Sequence, residues 1–182
     1  GRVHASAHAR LEGGPFEGRS RVSLAQAFRA GTGPDFVVAA NHFKSKGCTE
    51  AKGGDRDQED GQACYNATRI ESARALGDWL ATAPLGSGSD RVLLLGDLNA
   101  YGNEDPLRLL ASRGYVDAVS AHASEPAYSY VYGGASGRLV LTLAAPAVAA
   151  TIGDARDRHV TLPKSVGCDN APPDNAGRAL TS

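Results

Sequence analysis

Residues 91–102 read RVLLLGDLNAYG. An apolar run this short, closed by Gly96, is too brief for a helix and suits a buried strand over Arg91–Leu95. The run stops on Asp97 and Asn99, a carboxylate and a carboxamide two positions apart, where side chains emerge into solvent. A second run, DFVVAANHF at 35–43, has the same form and runs out through Asn41 and His42 into Lys44-Ser45-Lys46-Gly47.

The rest of the chain is organised around these two runs. Between them, Ile70, Ala73, Leu76 and Leu80 recur at three- and four-residue spacing, which predicts a helix from Asn66 to Trp79 with Asn66 as its N-cap. Pro84 and a Gly-Ser stretch end it. A short helix is expected over Pro106–Ser112, with proline at its start and Gly114 beyond its end. Residues 127–132 (AYSYVY) alternate like a strand, a GGASG turn follows, and 138–143 (RLVLTL) reads as another strand. Residues 144–151 are Ala-rich and fit either state. Strands interleaved with helices make the class α/β, or α+β if the sheet is antiparallel. A length of 182 residues suits one domain. Residues 1–21 and 161–182 carry little periodic pattern and are expected to be irregular, leaving 22–160 as the domain. The chain starts at Gly1 without a charged-then-apolar leader, and its patternless ends favour an excised segment over a trimmed leader.

A formal net charge of -1 gives no global field for nucleic acid or a membrane, so any polyanion site has to be local. No stretch approaches the roughly 20 apolar residues of a membrane helix, and no membrane partner is expected. Cys48 and Cys64 bracket a polar loop without CxxC or histidine spacing, which points to a disulfide rather than zinc; Cys168 is left over. Such a bridge contributes on the order of 3 kcal/mol and implies an oxidising compartment, secreted or periplasmic. Three unpaired thiols in a cytosolic protein is the competing reading.

The polar strand ends carry the chemistry. A histidine with two lysines suits an anionic substrate, since imidazole can donate a proton and ammonium groups can hold phosphate. Asp97 and Asn99 can orient a water or offer oxygen to a hard cation. Each has a plainer competitor: a hydrogen-bonding structural histidine, and an Asx turn. Asp55, Asp57, Glu59, Asp60 and Gly61 in the cysteine loop are dense enough for a hard-cation loop, but their spacing fits no complete EF-hand and suits a charged surface loop better. Asn66-Ala67-Thr68 is formally a glycosylation sequon, but helix capping explains it better.

Taken in order, NHFKSKG, DGQACYNATR, the helix ending in DWL, LLLGDLNAYGNEDP, GYVDA and AYSYVYGG resemble the endonuclease/exonuclease/phosphatase superfamily, and within it the bacterial secreted nucleases. The resemblance covers about residues 24–160. It implies a partial four-layer α/β sandwich of the DNase I type and a metal-dependent phosphodiesterase. His42 would contact the scissile phosphate and assist the leaving group, Asp97 would orient the attacking water, and Asn99 would meet phosphate or metal. Asn41, Lys44 and Lys46 would hold substrate phosphate. The implied cofactor is Mg²⁺, with Mn²⁺ or Ca²⁺ as alternatives, liganded in part by Asp97 and Asn99. The implied substrate is DNA, with RNA as the alternative.

The chain also departs from the family pattern. Nothing upstream of Val22 supplies the Asn motif and metal-binding Glu of the family's amino-terminal half, so the chain resembles the carboxy-terminal half and the missing half is an expected partner. Where the family has Gly-x-Leu-Asp-His, this chain has Gly137-Arg138-Leu139-Val140-Leu141. No Ser-Asp-His motif follows, and Asp157 and His159 do not match its spacing. Groups that act as a unit lose most of their effect together. Two functions are therefore expected to compete: a divergent or truncated metal-dependent nuclease, and a catalytically incompetent remnant or polyanion-binding half-domain.

Overall fold

The computed structural model describes residues 2–86, 90–123, 128–132 and 135–155. Eight strands are seen there: β1 (Val3–Leu11), β2 (Ser23–Ala30), β3 (Asp35–His42), β4 (Val92–Asp97), β5 (Val116–Asp117), β6 (Tyr130–Tyr132), β7 (Ala135–Gly137) and β8 (Val140–Ala144). The helices are α1 (Asn66–Ala81), α2 (Asp105–Ser112), α3 (Ala118–His122) and α4 (Pro146–Ala149). Six strands form one sheet in the order β1-β2-β3-β4-β8-β5, while β6 and β7 pair separately.

Only β3 and β4 run parallel in this sheet; the other neighbours are antiparallel. Parallel neighbours need a crossover rather than a hairpin. The stretch between them supplies it, with α1 returning the chain so that both strands leave the sheet at the same end.

The strand period sorts the residues onto two faces. On one, Ala25, Ala27, Val37, Ala39, Val92, Leu94, Leu141 and Leu143 pack against Ala73 and Leu76 of α1 and Leu107 and Leu110 of α2. The small alanines of β2 and β3 let the helices lie close. On the other face stand Leu24, Phe28, Phe36, Val38, Leu93, Leu95 and Val140, none of them buried. Phe28 and Phe36 stack with ring centroids 5.6 Å apart, yet Leu24 is 44% and Val140 52% exposed. The architecture is a sheet with its main helices on one side, half of the expected sandwich.

Several sequence expectations are corrected. Residues 3–11, expected to be irregular, form the edge strand β1, because the register against β2 satisfies their backbone even though most of their side chains are exposed. β2 carries little apolar signal in its alanines and polar residues, and the sequence does not announce it as a strand. Asn66 does not cap α1: Tyr65 occupies the cap position in a left-handed conformation (φ 60), and Asp55 accepts hydrogen bonds from Thr68 N (2.9 Å) and Oγ1 (2.7 Å) instead. The strand expected from 127 is seen over Tyr130–Tyr132, with 127 itself outside the described residues, and the ambiguous 144–151 segment holds α4. The expected tail, with Asp157, His159 and Cys168, also lies outside them.

An apolar sheet face this open favours association. The purified chain is expected to bind an environment-sensitive hydrophobic dye and to sediment with a concentration-dependent mass, and Leu24→Glu to weaken both. A dye-silent monomer at all concentrations would contradict the exposed face.

A candidate active site at the exits of β3 and β4

The parallel register of β3 on β4 pairs Asn41 with Gly96 and His42 with Asp97. Direct partners in register project to the same face, so the imidazole of His42 and the carboxylate of Asp97 leave the sheet side by side. His42 is exposed and Asp97 partly so. Phe43 N donates to the Asp97 carbonyl (3.0 Å), which holds the two exits together one residue beyond the strands.

Gly96 makes this approach possible. Its φ is 132, and a Cβ placed there would sit 1.9 Å from the Asn41 carbonyl oxygen, well inside contact distance. The GD of the apolar run is therefore a backbone requirement followed by a carboxylate that leaves the sheet beside His42.

Asp97 is then oriented by the turn that follows. Asn99 N donates to Asp97 Oδ1 (2.9 Å), while Oδ2 has no protein partner among the described residues. Asn99, held at φ 47, is buried and donates its Nδ2 to the Phe43 carbonyl (3.0 Å), stapling the β4 exit to the β3 exit. Its amide oxygen makes no hydrogen bond among the described residues.

The other residues expected at the site are placed differently. Asn41 points into the core face: its Oδ1 accepts from Ser23 Oγ (2.6 Å) and its Nδ2 donates to the Ala39 carbonyl (2.8 Å). Lys46 donates to both carboxylate oxygens of Glu104 (2.6 Å each) and to the Gln62 carbonyl (3.1 Å), and its ammonium lies 5.1 Å from the Tyr101 ring centroid. Burial pushes the Lys46 ammonium below the ordinary lysine range, and Glu104 pulls it back toward the charged form. Lys44 makes no ion pair among the described residues; its Nζ sits 4.5 Å from the Tyr65 ring centroid.

The supporting shell was largely unseen in the sequence. Cys48 and Cys64 are joined, with Cα atoms 5.1 Å apart. The bridge closes a loop whose carbonyls at Gln62 and Cys64 each accept a 2.7 Å hydrogen bond from the completely buried Arg69. Gln62 also reaches α2, accepting from Asp105 N and donating to Asp105 Oδ2 (2.8 Å each). Arg69, Gln62 and Glu104 all lie inside quoted motifs, but nothing in their spacing distinguishes a buried support from a surface charge.

Among the described residues no group of three or more His, Cys, Asp or Glu is placed to share a metal ion. Asp97 and Asn99 offer one carboxylate and one amide oxygen. Val140, register partner of Asp97 on the far side from His42, presents methyl groups where a further oxygen would complete a hard-cation site. The corner on its own does not fit a resident Mg²⁺.

No protein-family model matches the sequence, and no curated protein is similar to it. Solved structures do share its fold. The human Nocturnin catalytic domain with bound sulfate anion is similar at 17% identity and a TM-score of 0.52, over 80% of this chain and 49% of that one. Sphingomyelinase C from Streptomyces griseocarneus is similar at 18% identity and 0.51, over 74% and 44%. An endonuclease/exonuclease/phosphatase from Bacteroides vulgatus is similar at 12% identity and 0.51, over 79% and 55%. The chain spans about half the length of these structures, so what it shares with them is half of the endonuclease/exonuclease/phosphatase fold.

Two substitutions test how the corner is built. Gly96→Ala forces a clash with backbone and is expected to cost at least about 3 kcal/mol of unfolding free energy, read by urea denaturation. Lys46→Met strands the Glu104 carboxylate, which is only 9% exposed, and is expected to cost about 3 kcal/mol. Arg113→Met, which breaks the more open pair with Asp78, should cost under about 1 kcal/mol of electrostatic origin. Equal costs at the two pairs would remove Lys46–Glu104 as the support of the corner.

Proposed function

We propose that this chain is the carboxy-terminal half of a metal-dependent phosphodiesterase of the endonuclease/exonuclease/phosphatase type, with DNA as substrate and RNA as its alternative. The observation that carries the reading is His42 in direct register with Asp97 at the exit of two adjacent parallel strands. The shared fold and the motif order support it. The disulfide supports an oxidising location, secreted or periplasmic.

The chemistry follows from the two side chains. Asp97, held through Oδ1 by Asn99 N, keeps Oδ2 to take a hydrogen bond from a water. That water's oxygen forms a bond to phosphorus, its proton passing to Asp97 Oδ2, as the opposite ester P–O bond breaks. His42, exposed beside it, gives a proton to the departing oxygen. A divalent cation would offset charge on the phosphoryl oxygens. Its remaining ligands would come from substrate phosphate and water.

One observation favours a second reading. Val140 beside Asp97 removes an oxygen donor from the corner, as expected of a half-domain that binds polyanions without cleaving them.

Nicking of supercoiled plasmid in Mg²⁺ separates the two. The nuclease reading expects metal-dependent nicking that falls by about 100-fold or more in His42→Ala. Nicking unchanged in that variant overturns the assignment of His42, and no metal-dependent nicking from the wild-type chain leaves the polyanion-binding reading.

A further inference from the structure

A cleft of about 440 Å³ opens beside the β3 exit, lined by Arg19, Lys44, Lys52 and Tyr65 together with Glu50 and Asp55. Its cations come from three separate segments. The first is bound to the strand exit: Arg21 N donates to the His42 carbonyl (2.9 Å) and Lys44 N donates to Ser20 Oγ (3.0 Å). Residues 19–21 therefore run alongside 42–44.

The side chains are prepared for an anion. Asp55 is already occupied by Arg19, Thr68 N and Thr68 Oγ1, so it neutralises little beyond Arg19 itself. Arg19 uses only NH1 for Asp55 and Thr68, and its Nε and NH2 have no protein partner among the described residues. The Tyr65 ring is locked by its hydroxyl, which donates to the Thr49 carbonyl (2.6 Å), and the ring holds the Lys44 ammonium over its face. Lys52 is exposed at the rim, and Glu50 is the one acid in the lining without a cationic partner among the described residues.

The geometry points to a phosphate subsite in which Arg19, Lys44 and Lys52 hold a backbone phosphate of a nucleic-acid strand, next to the phosphate that meets His42. The inference rests on the nucleic-acid reading above and gives the local basic site that a chain of net charge -1 requires. Lys44 lies two residues beyond His42, just past the end of β3, which keeps the subsite at the same strand exit. Lys46, although it belongs to the same KSK run, is excluded because Glu104 takes its ammonium.

Binding of a short labelled DNA duplex, followed by fluorescence anisotropy in EDTA over a range of sodium chloride, tests this without any hydrolysis. Each phosphate contact contributes a slope of about 0.9 in log K against log salt. Lys44→Gln/Lys52→Gln is expected to reduce the slope by about 2, and Lys44→Arg/Lys52→Arg to restore it. A charge-matched control, Arg29→Gln/Arg91→Gln, alters residues at the opposite end of β3 and β4 and is expected to leave the slope nearly unchanged. Equal losses in the two glutamine doubles, or no loss in the lysine double, overturn the subsite. Because the assay needs no cleavage, a lysine-dependent slope from a chain that fails to nick plasmid keeps the subsite and removes only the nuclease reading. Thermal melts of the variants guard against misfolding, which the surface position of Lys52 and the unpaired state of Lys44 make avoidable.

Discussion

Everything at the candidate site depends on one backbone contact, the parallel pairing of Asn41 with Gly96. Parallel strands joined by a crossover leave a sheet at the same end, so two polar clusters separated by more than fifty residues become neighbours. The contact tolerates no side chain at Gly96, where a Cβ would meet the Asn41 carbonyl at 1.9 Å. A slip of one residue would send either His42 or Asp97 to the opposite face of the sheet. Register, more than any local motif, decides that an imidazole and a carboxylate share a surface.

Around that contact the loops are tied to each other rather than to the sheet. The disulfide closes the loop, Arg69 satisfies its carbonyls from below, and Gln62 carries it to the start of α2. Lys46–Glu104 then joins the β3 exit to the turn after β4. The result divides a run of similar residues by role. Asn41 and Lys46 hold the structure through Ser23 and Glu104, whereas His42 is exposed and Lys44 stands over the Tyr65 ring without an ion pair among the described residues. In a motif such as NHFKSKG, chemical type alone gives no such division.

The legible part of the fold was the part with a strong apolar period. The two buried runs were readable as β3 and β4, and α1 by its helical spacing, because burial on a strand or helix face leaves a pattern. β1 and β2 were not, since an edge strand and an alanine-rich neighbour are stabilised by pairing that has no counterpart in composition. At the site, His42, Asp97 and Asn99 were readable from their positions at strand ends. Glu104 was not, because its partner Lys46 lies 58 positions away, and Arg69 was not, because it is held by loop carbonyls that no residue type marks. Val140 was identified as the odd residue by resemblance, and the antiparallel register of β8 gives it a physical meaning: it is the neighbour of Asp97.

The apolar face opposite the helices and the incomplete set of oxygen donors describe the same condition, a half-sandwich whose corner we propose to meet phosphate. The central claim is that a nucleic-acid phosphate meets the chain where β3 and β4 end. Backbone amide shifts recorded by NMR during titration with a short DNA duplex test it most directly. The account predicts the largest changes at residues 42–44 and 97–99. Changes confined to the opposite end of the strands, around Arg29 and Arg91, or to the outer surface of α1 and α2, would contradict it.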